Sequence, residues 1–406
     1  MIRFTKAALV AGVCSLGVVR AAIAQESMPR ITFAGTGLVS FNMNGDNNIE
    51  NGNVKNLDLG TVNDFSDSFI LLRLDRQLYK KDRAGFMVGF LFPDARNDLG
   101  QVFYNQVNVF YNSRRFGGLL GRSRLRNFVV EFPTLREEDL LDYGFVANPF
   151  INSENSELTR YGNVFRGDAF LLSNRLTLSG QVLNWSVTDE TGKLADNFDV
   201  NGVSGSLIYR LPDALRYSGT VREAGIAVFG QNINAAGQNW MSTVSAGIAV
   251  NLTKDPLRNV EFRGQVIYNL GVDDLATSDT LLGTLAAPRG RARSQYLALA
   301  GSLRLLSRPA QLDRFQAALT VAYKDFSDDN ASQFAVIPNV FFRVGEGVDL
   351  GVQYQFEQFS GDLARLRALR RQQSVKLTLA FRFQAMFNNY FGDRDDILNI
   401  EHGYIP

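Results

Sequence analysis

Val260-Glu261-Phe262-Arg263-Gly264-Gln265-Val266-Ile267-Tyr268-Asn269-Leu270 sets Val260, Phe262, Gly264, Val266, Tyr268 and Leu270 on one side of an extended chain. Glu261, Arg263, Gln265 and Asn269 fall on the other side, and only Ile267 is out of place. Successive strand residues point to opposite faces, so a period of two reads as a strand with one apolar and one charged face. Residues 240–252 repeat the pattern, with Trp240, Val244, Ala246, Ile248, Val250 and Leu252 against Thr243, Ser245 and Asn251. Val348, Leu350, Val352, Tyr354 and Phe356 oppose Asp349, Gly351, Gln353, Gln355 and Glu357. Val375, Leu377, Leu379, Phe381 and Phe383 oppose Ser374, Lys376, Thr378 and Arg382.

Working outward, the chain reads as about sixteen strands. They lie near 30–43, 67–79, 84–92, 101–112, 116–125, 161–171, 174–187, 200–210, 223–231, 240–252, 260–270, 293–306, 314–324, 332–342, 347–357 and 373–384. The segments 101–112, 161–171 and 332–342 have the weakest patterns. The connections alternate in length. Residues 44–66, 93–100, 126–160, 188–199, 232–239, 271–292, 325–331 and 358–372 fall at one end. Residues 80–83, 113–115, 172–173, 211–222, 253–259, 307–313 and 343–346 fall at the other. Barrels of the outer membrane have short turns at one rim and longer loops at the other, and an even strand count brings both termini to one rim.

A soluble β-sandwich also alternates, but its strands run about 5–6 residues. Here many segments reach about ten, the length that crosses a bilayer at a tilt. Aromatic residues at strand ends (Tyr79, Phe92, Tyr111, Tyr209, Tyr323, Phe341, Phe356, Phe383) suit interfacial girdles. After residue 24 no apolar run is long enough for a spanning helix. The expected fold is therefore all-β: a transmembrane antiparallel barrel.

The first residues read as an export signal. Arg3 and Lys6 precede an apolar run over 7–19, and Ala22-Ile23-Ala24 is a small-x-small cleavage site. Lipid attachment at Cys14 is the alternative, but Val13 before it is bulkier than such sites accept. Cleavage after Ala24 removes Arg3, Lys6 and Arg20 and moves the formal charge from +1 to −2. That balance leaves no basic surplus for nucleic acid. The only cysteine, Cys14, leaves with the signal, so disulfides and thiolate chemistry are excluded from the mature chain. The expected organisation is signal peptide 1–24, barrel 25–384 and C-terminal tail 385–406.

This pattern resembles the Gram-negative outer-membrane porins: about sixteen strands over residues 30–384, with a long segment between the fifth and sixth. The last strand, Lys376-Leu377-Thr378-Leu379-Ala380-Phe381-Arg382-Phe383, is similar to the family's terminal assembly signal, although here Ala385 to Pro406 follow. In these porins the third outside loop folds into the barrel and narrows it. The matching stretch is 126–160. Its many apolar groups, among them Phe128, Val130, Phe132, Leu140, Phe145 and Phe150, need a wall to pack against. Leu135 to Tyr143 has helix signals, with Thr134 and Glu137 at capping-box spacing. An outside loop stapled to its neighbours or to a partner subunit is the alternative. The resemblance also implies a homotrimer in the cell outer membrane.

Charge on the inner wall is the candidate chemistry. A charge facing lipid near the midplane costs roughly 2–4 kcal/mol, so strand charges are expected inside. These include Arg73 with Asp75, Arg122 with Arg124, Arg166 with Asp168, Glu261 with Arg263, Arg304, and Lys376 with Arg382. Closure of the last strand on the first is expected to gather Arg73, Arg122, Arg124, Lys376 and Arg382 as a basic wall. Opposite it would stand the acidic loop residues Glu131, Glu137, Glu138, Asp139 and Asp142. Such a field biases ions by sign, and the basic lean predicts a mild anion preference. Simple pairing that holds the loop in place is the equal alternative. Arg365, Arg367, Arg370 and Arg371 are expected to meet lipopolysaccharide phosphates.

Enzymatic signals are nearly absent. His402 in the tail is the only histidine, so neither a serine–histidine hydrolase nor a histidine metal site can be assembled elsewhere. The expected function is passive diffusion of small hydrophilic solutes and ions through a water-filled channel, without cofactor or metal. A substrate-selective porin for phosphate or another anion is one rival. A non-conducting structural or adhesive barrel is the other.

Overall fold

The computed structural model describes residues 29–48, 54–63, 68–78, 82–92, 103–124, 161–173, 175–184, 202–211, 220–232, 240–253, 258–271, 296–307, 315–326, 331–345, 348–361, 364 and 369–387. Among them are seventeen strands. In chain order these are β1 (Arg30–Asn48), β2 (Val54–Asn63), β3 (Ser68–Gln77), β4 (Arg83–Phe92), β5 (Phe103–Asn112), β6 (Phe116–Arg124), β7 (Tyr161–Leu171), β8 (Leu176–Asn184) and β9 (Gly202–Arg210). There follow β10 (Thr220–Asn232), β11 (Trp240–Asn251), β12 (Arg258–Gly271), β13 (Tyr296–Ser307), β14 (Phe315–Phe326), β15 (Ala331–Gly345), β16 (Val348–Ser360) and β17 (Leu369–Phe387).

From β3 each strand pairs antiparallel with the next as far as β17. β1 joins the two ends of this series. It pairs with β3 on one side and with β17 on the other. Every strand except β2 thus belongs to one closed ladder, which leaves no unpaired rim strand exposed to lipid. The segments with weak patterns are β5, β7 and β15.

Two expectations change. The connection 44–66 contains β2, which pairs with Ser40 to Asn47 of β1, while β3 takes Arg30 to Thr36 below it. β1 is 19 residues long, more than a crossing requires, and its upper half needs a second hydrogen-bonding partner that β3 is too low to supply. Leu57 and Leu59 among Asn, Asp and Gly carry too little apolar signal to show this strand in sequence. The last strand also runs past 384, since Ala385 pairs with Phe33 and Phe387 with Ile31. Residues 388–406 of the expected tail lie outside the described residues.

Burial is inverted relative to a soluble protein. On β12 Phe262 is 40% exposed, whereas its neighbour Glu261 is 0% exposed. Val109, Leu120, Phe165, Val182 and Val203 stand in register across β5 to β9, and all five are exposed. Directly opposed residues share a face, so these rows form a continuous apolar outer belt. Asn108, Ser179, Ser206, Ser302 and Thr320 are buried on the other face. Water would not leave such a belt uncovered, but lipid covers it. Ile267, out of place in the sequence pattern, is buried inward opposite Ala298.

One glycine shapes the inner wall beside the first strands. A Cβ on Gly85 would stand 2.4 Å from the Leu74 carbonyl oxygen and 2.6 Å from Phe110 Cζ. The missing side chain lets the Phe110 ring lie across β4, where it joins Ala34, Leu71 and Met87 in a buried apolar patch. Gly85→Val should therefore destabilise the barrel by about 1–3 kcal/mol through overpacking. A lowered urea midpoint after refolding into vesicles is the expected reading, and an unchanged midpoint would show that the ring gives way freely.

Candidate functional site

Among the described residues, ion pairs on the inner face include four groups. In the first, Arg30 at the start of β1 donates to Asp75 on β3 through Nε and Nη2, each at 3.0 Å. Arg73 Nε lies 3.4 Å from the same carboxylate, and its guanidinium sits 4.8 Å from the centre of the Phe110 ring. The two-pronged geometry of Arg30 fixes the height of β1 against β3. In the second group Arg166 Nε is 3.4 Å from Asp168 on β7, and Ser179 Oγ of β8 donates to Asp168 at 2.5 Å.

The third group spans β9 to β13. Arg210 donates to Glu223 at 2.5 Å. Glu261 accepts from Arg263 at 2.5 Å and from Arg304 at 3.2 Å, and Arg222 completes a set of three guanidinium groups around it. Arg222 reaches Glu261 because β10 carries a bulge between Val221 and Glu223. An extra residue there bends the strand and re-aims a side chain. In the fourth group Arg343 on β15 donates to Asp349 on β16 at 2.9 Å.

All four groups lie in the half of the barrel with short connections, the rim that also carries the start of β1 and the end of β17. They make a charged collar in which arginine is in excess. Among the described residues Glu261 faces three arginines and Asp75 faces two. On the inner face Thr32 Oγ1, Asn108 Oδ1, Ser206 Oγ and Thr378 Oγ1 are buried without a hydrogen-bond partner among the described residues. An unmet buried polar group costs about 1–3 kcal/mol.

The residues expected from sequence fall at different heights. Arg73 is buried inward opposite Thr32, low on β1. Lys376 stands opposite Asn42, much higher on β1, and opposite buried Gln353 on β16. Arg382 is opposite Thr36 in the backbone ladder, and Arg124 is opposite Tyr161.

Arg122 is a correction. It pairs with exposed Val107 and exposed Asn163, which puts it in the outward series rather than with inward Leu119 and Ser123. The sequence phase was ambiguous because Leu119 and Leu120 are both apolar. Gly121, with φ of 128°, turns the strand just before it. The described residues thus do not form the single basic wall expected. Glu131, Glu137, Glu138, Asp139 and Asp142 lie outside the described residues, as does His402.

Sequence reading missed Arg30, Arg210, Arg222 and Arg343 as inner-wall charges. Residues 211–222 were expected to be a connection, and a bulge leaves no mark in a period-two count. The usable signal was Arg210 and Glu223 of opposite charge on either side of that connection. Among the described residues no three His, Cys, Asp or Glu side chains are grouped to hold a metal.

No family model matches the chain, and no curated protein does. Solved structures do. The outer membrane channel DcaP of Acinetobacter baumannii is similar at TM-score 0.61 and 13% identity, over 89% of this chain and 99% of that one. The anion-selective porin of Comamonas acidovorans is similar at TM-score 0.56 and 12% identity, over 87% and 100%. OmpT of Vibrio cholerae, in a trimer form, is similar at TM-score 0.57 and 8% identity, over 88% and 100%. The fold is that of the Gram-negative outer-membrane porins.

Proposed function

We propose that this chain is a porin of the bacterial outer membrane, exported with a cleaved signal peptide. In this reading it conducts small hydrophilic solutes and ions passively through a wet lumen. The observation that carries the reading is the inverted burial: an apolar belt outside and a polar wall with unmet hydrogen-bonding groups inside. The arginine excess of the collar supports a mild anion preference, as does the fold shared with an anion-selective porin. The apolar content of residues 126–160 supports an inward constriction loop, whose acids Glu131, Glu137, Glu138, Asp139 and Asp142 would set negative charge against the inner-wall arginines. A homotrimer fits the trimer form of the OmpT neighbour, and exposed Arg370 and Arg371 suit lipopolysaccharide phosphates.

Recording from the purified protein in planar bilayers tests this. Stepwise conductance is expected, with a reversal potential in a KCl gradient displaced toward chloride. Silent insertions would overturn the channel reading. They would favour a non-conducting barrel, which the near-complete burial of Arg73, Arg166 and Lys324 on the inner wall also suits. A displacement toward potassium would overturn the anion preference alone.

A further inference from the structure

We infer that Glu261 is a built-in counter-anion, and that it sets how firmly the wall holds passing anions. The inference rests on the channel reading above. Glu261 accepts from guanidinium groups on three strands, β10, β12 and β13, so one negative charge stands among three positive ones. The positions beside it in the ladder add no further carboxylate. Asn251 is opposite on β11, Arg304 itself is opposite on β13, and beyond that lies Ala318. Arg263 is flanked by Ala249 and Ser302. The nearest other carboxylate on these strands, Glu223, carries Arg210 as its own partner.

Accessibility divides the cluster in a useful way. The Arg222 side chain is 30% exposed, Arg304 14% and Arg263 11%, while that of Glu261 is 0% exposed. An ion in the lumen therefore meets guanidinium faces and never the carboxylate beneath them. Three guanidinium groups converging on one carboxylate offer the charge-assisted bonds that a free carboxylate or phosphate would take. Glu261 occupies that position permanently. With it in place the cluster draws anions by its excess charge but has no open pocket in which to trap them. Neutralising it would leave three cations around an amide and convert an attractive wall into an oxyanion site.

Glu261→Gln keeps the shape and removes the charge. In planar bilayers its chloride-to-potassium ratio is expected to rise about two- to threefold, because a unit charge several ångströms away in water shifts an ion's energy by about RT. Inorganic phosphate, which should pass through the unmodified channel, is expected to block the variant's current in resolvable events. Arg222→Gln leaves Glu261 two arginines and is expected to shift the ratio by a similar factor toward potassium.

If Glu261 serves only to hold strands together, both variants lose heat stability but keep the ratio and show no phosphate block, which overturns the inference. Should Glu261→Gln fail to insert, an unchanged ratio in Arg222→Gln overturns it instead. Silence of the unmodified protein is a different result, since it overturns the channel reading itself.

Discussion

Val321→Arg is expected to lower the stability of the barrel in lipid vesicles by about 2–4 kcal/mol, the cost of placing a guanidinium against hydrocarbon near the midplane. Val321 lies mid-strand on β14, is exposed, and stands between Gly301 and Val336. The neighbouring change, Thr320→Val, is expected to cost only about 1 kcal/mol, through the hydrogen bond of 3.1 Å that Thr320 Oγ1 donates to Ser302 Oγ. The pair separates a membrane barrel from any soluble β-fold. On a water-covered surface an arginine at an exposed valine is nearly neutral, and a valine at a buried threonine is close to harmless. Urea titration after refolding into vesicles measures both. Equal effects, or a larger effect at Thr320, would reverse the assignment of the two faces.

Asp75→Ala is expected to cost about 3–5 kcal/mol, because it removes the carboxylate that two buried guanidinium groups share. Arg30 loses a two-pronged bond and Arg73 its nearest carboxylate, and all three side chains are buried. The position matters as much as the charge. Asp75 stands directly opposite Arg30 on β1, the strand through which the ladder closes on β17. The loss should therefore appear as failed closure, with the variant running as unfolded chain on an unheated gel while the parent keeps the mobility of the folded barrel. Replacing Arg30 by Met in the same background should recover part of the stability by removing one of the buried charges that Asp75 balanced. Full stability of the single variant would show that the collar is solvated well enough to need no partner.

Most strands were legible because their alternation is local. Phe262 outward and Glu261 inward, Leu377 outward and Thr378 inward, follow from the pleat and the hydropathy of adjacent residues. Arg122 escaped because two leucines in a row left the phase of β6 undecided. β2 escaped because a strand outside the lipid belt has no apolar face to announce it.

The residues alone determined that this chain alternates and closes as an antiparallel barrel with one short-looped rim. Each of those properties is written in a single segment or in its immediate neighbours. Which charges stand at one height was decided only by the tertiary structure. Height depends on the register of every ladder between two strands and on the bulge at Arg222. These shifts add up around the ring, so Arg73 and Lys376 part company while Arg222, Arg263 and Arg304 meet on Glu261.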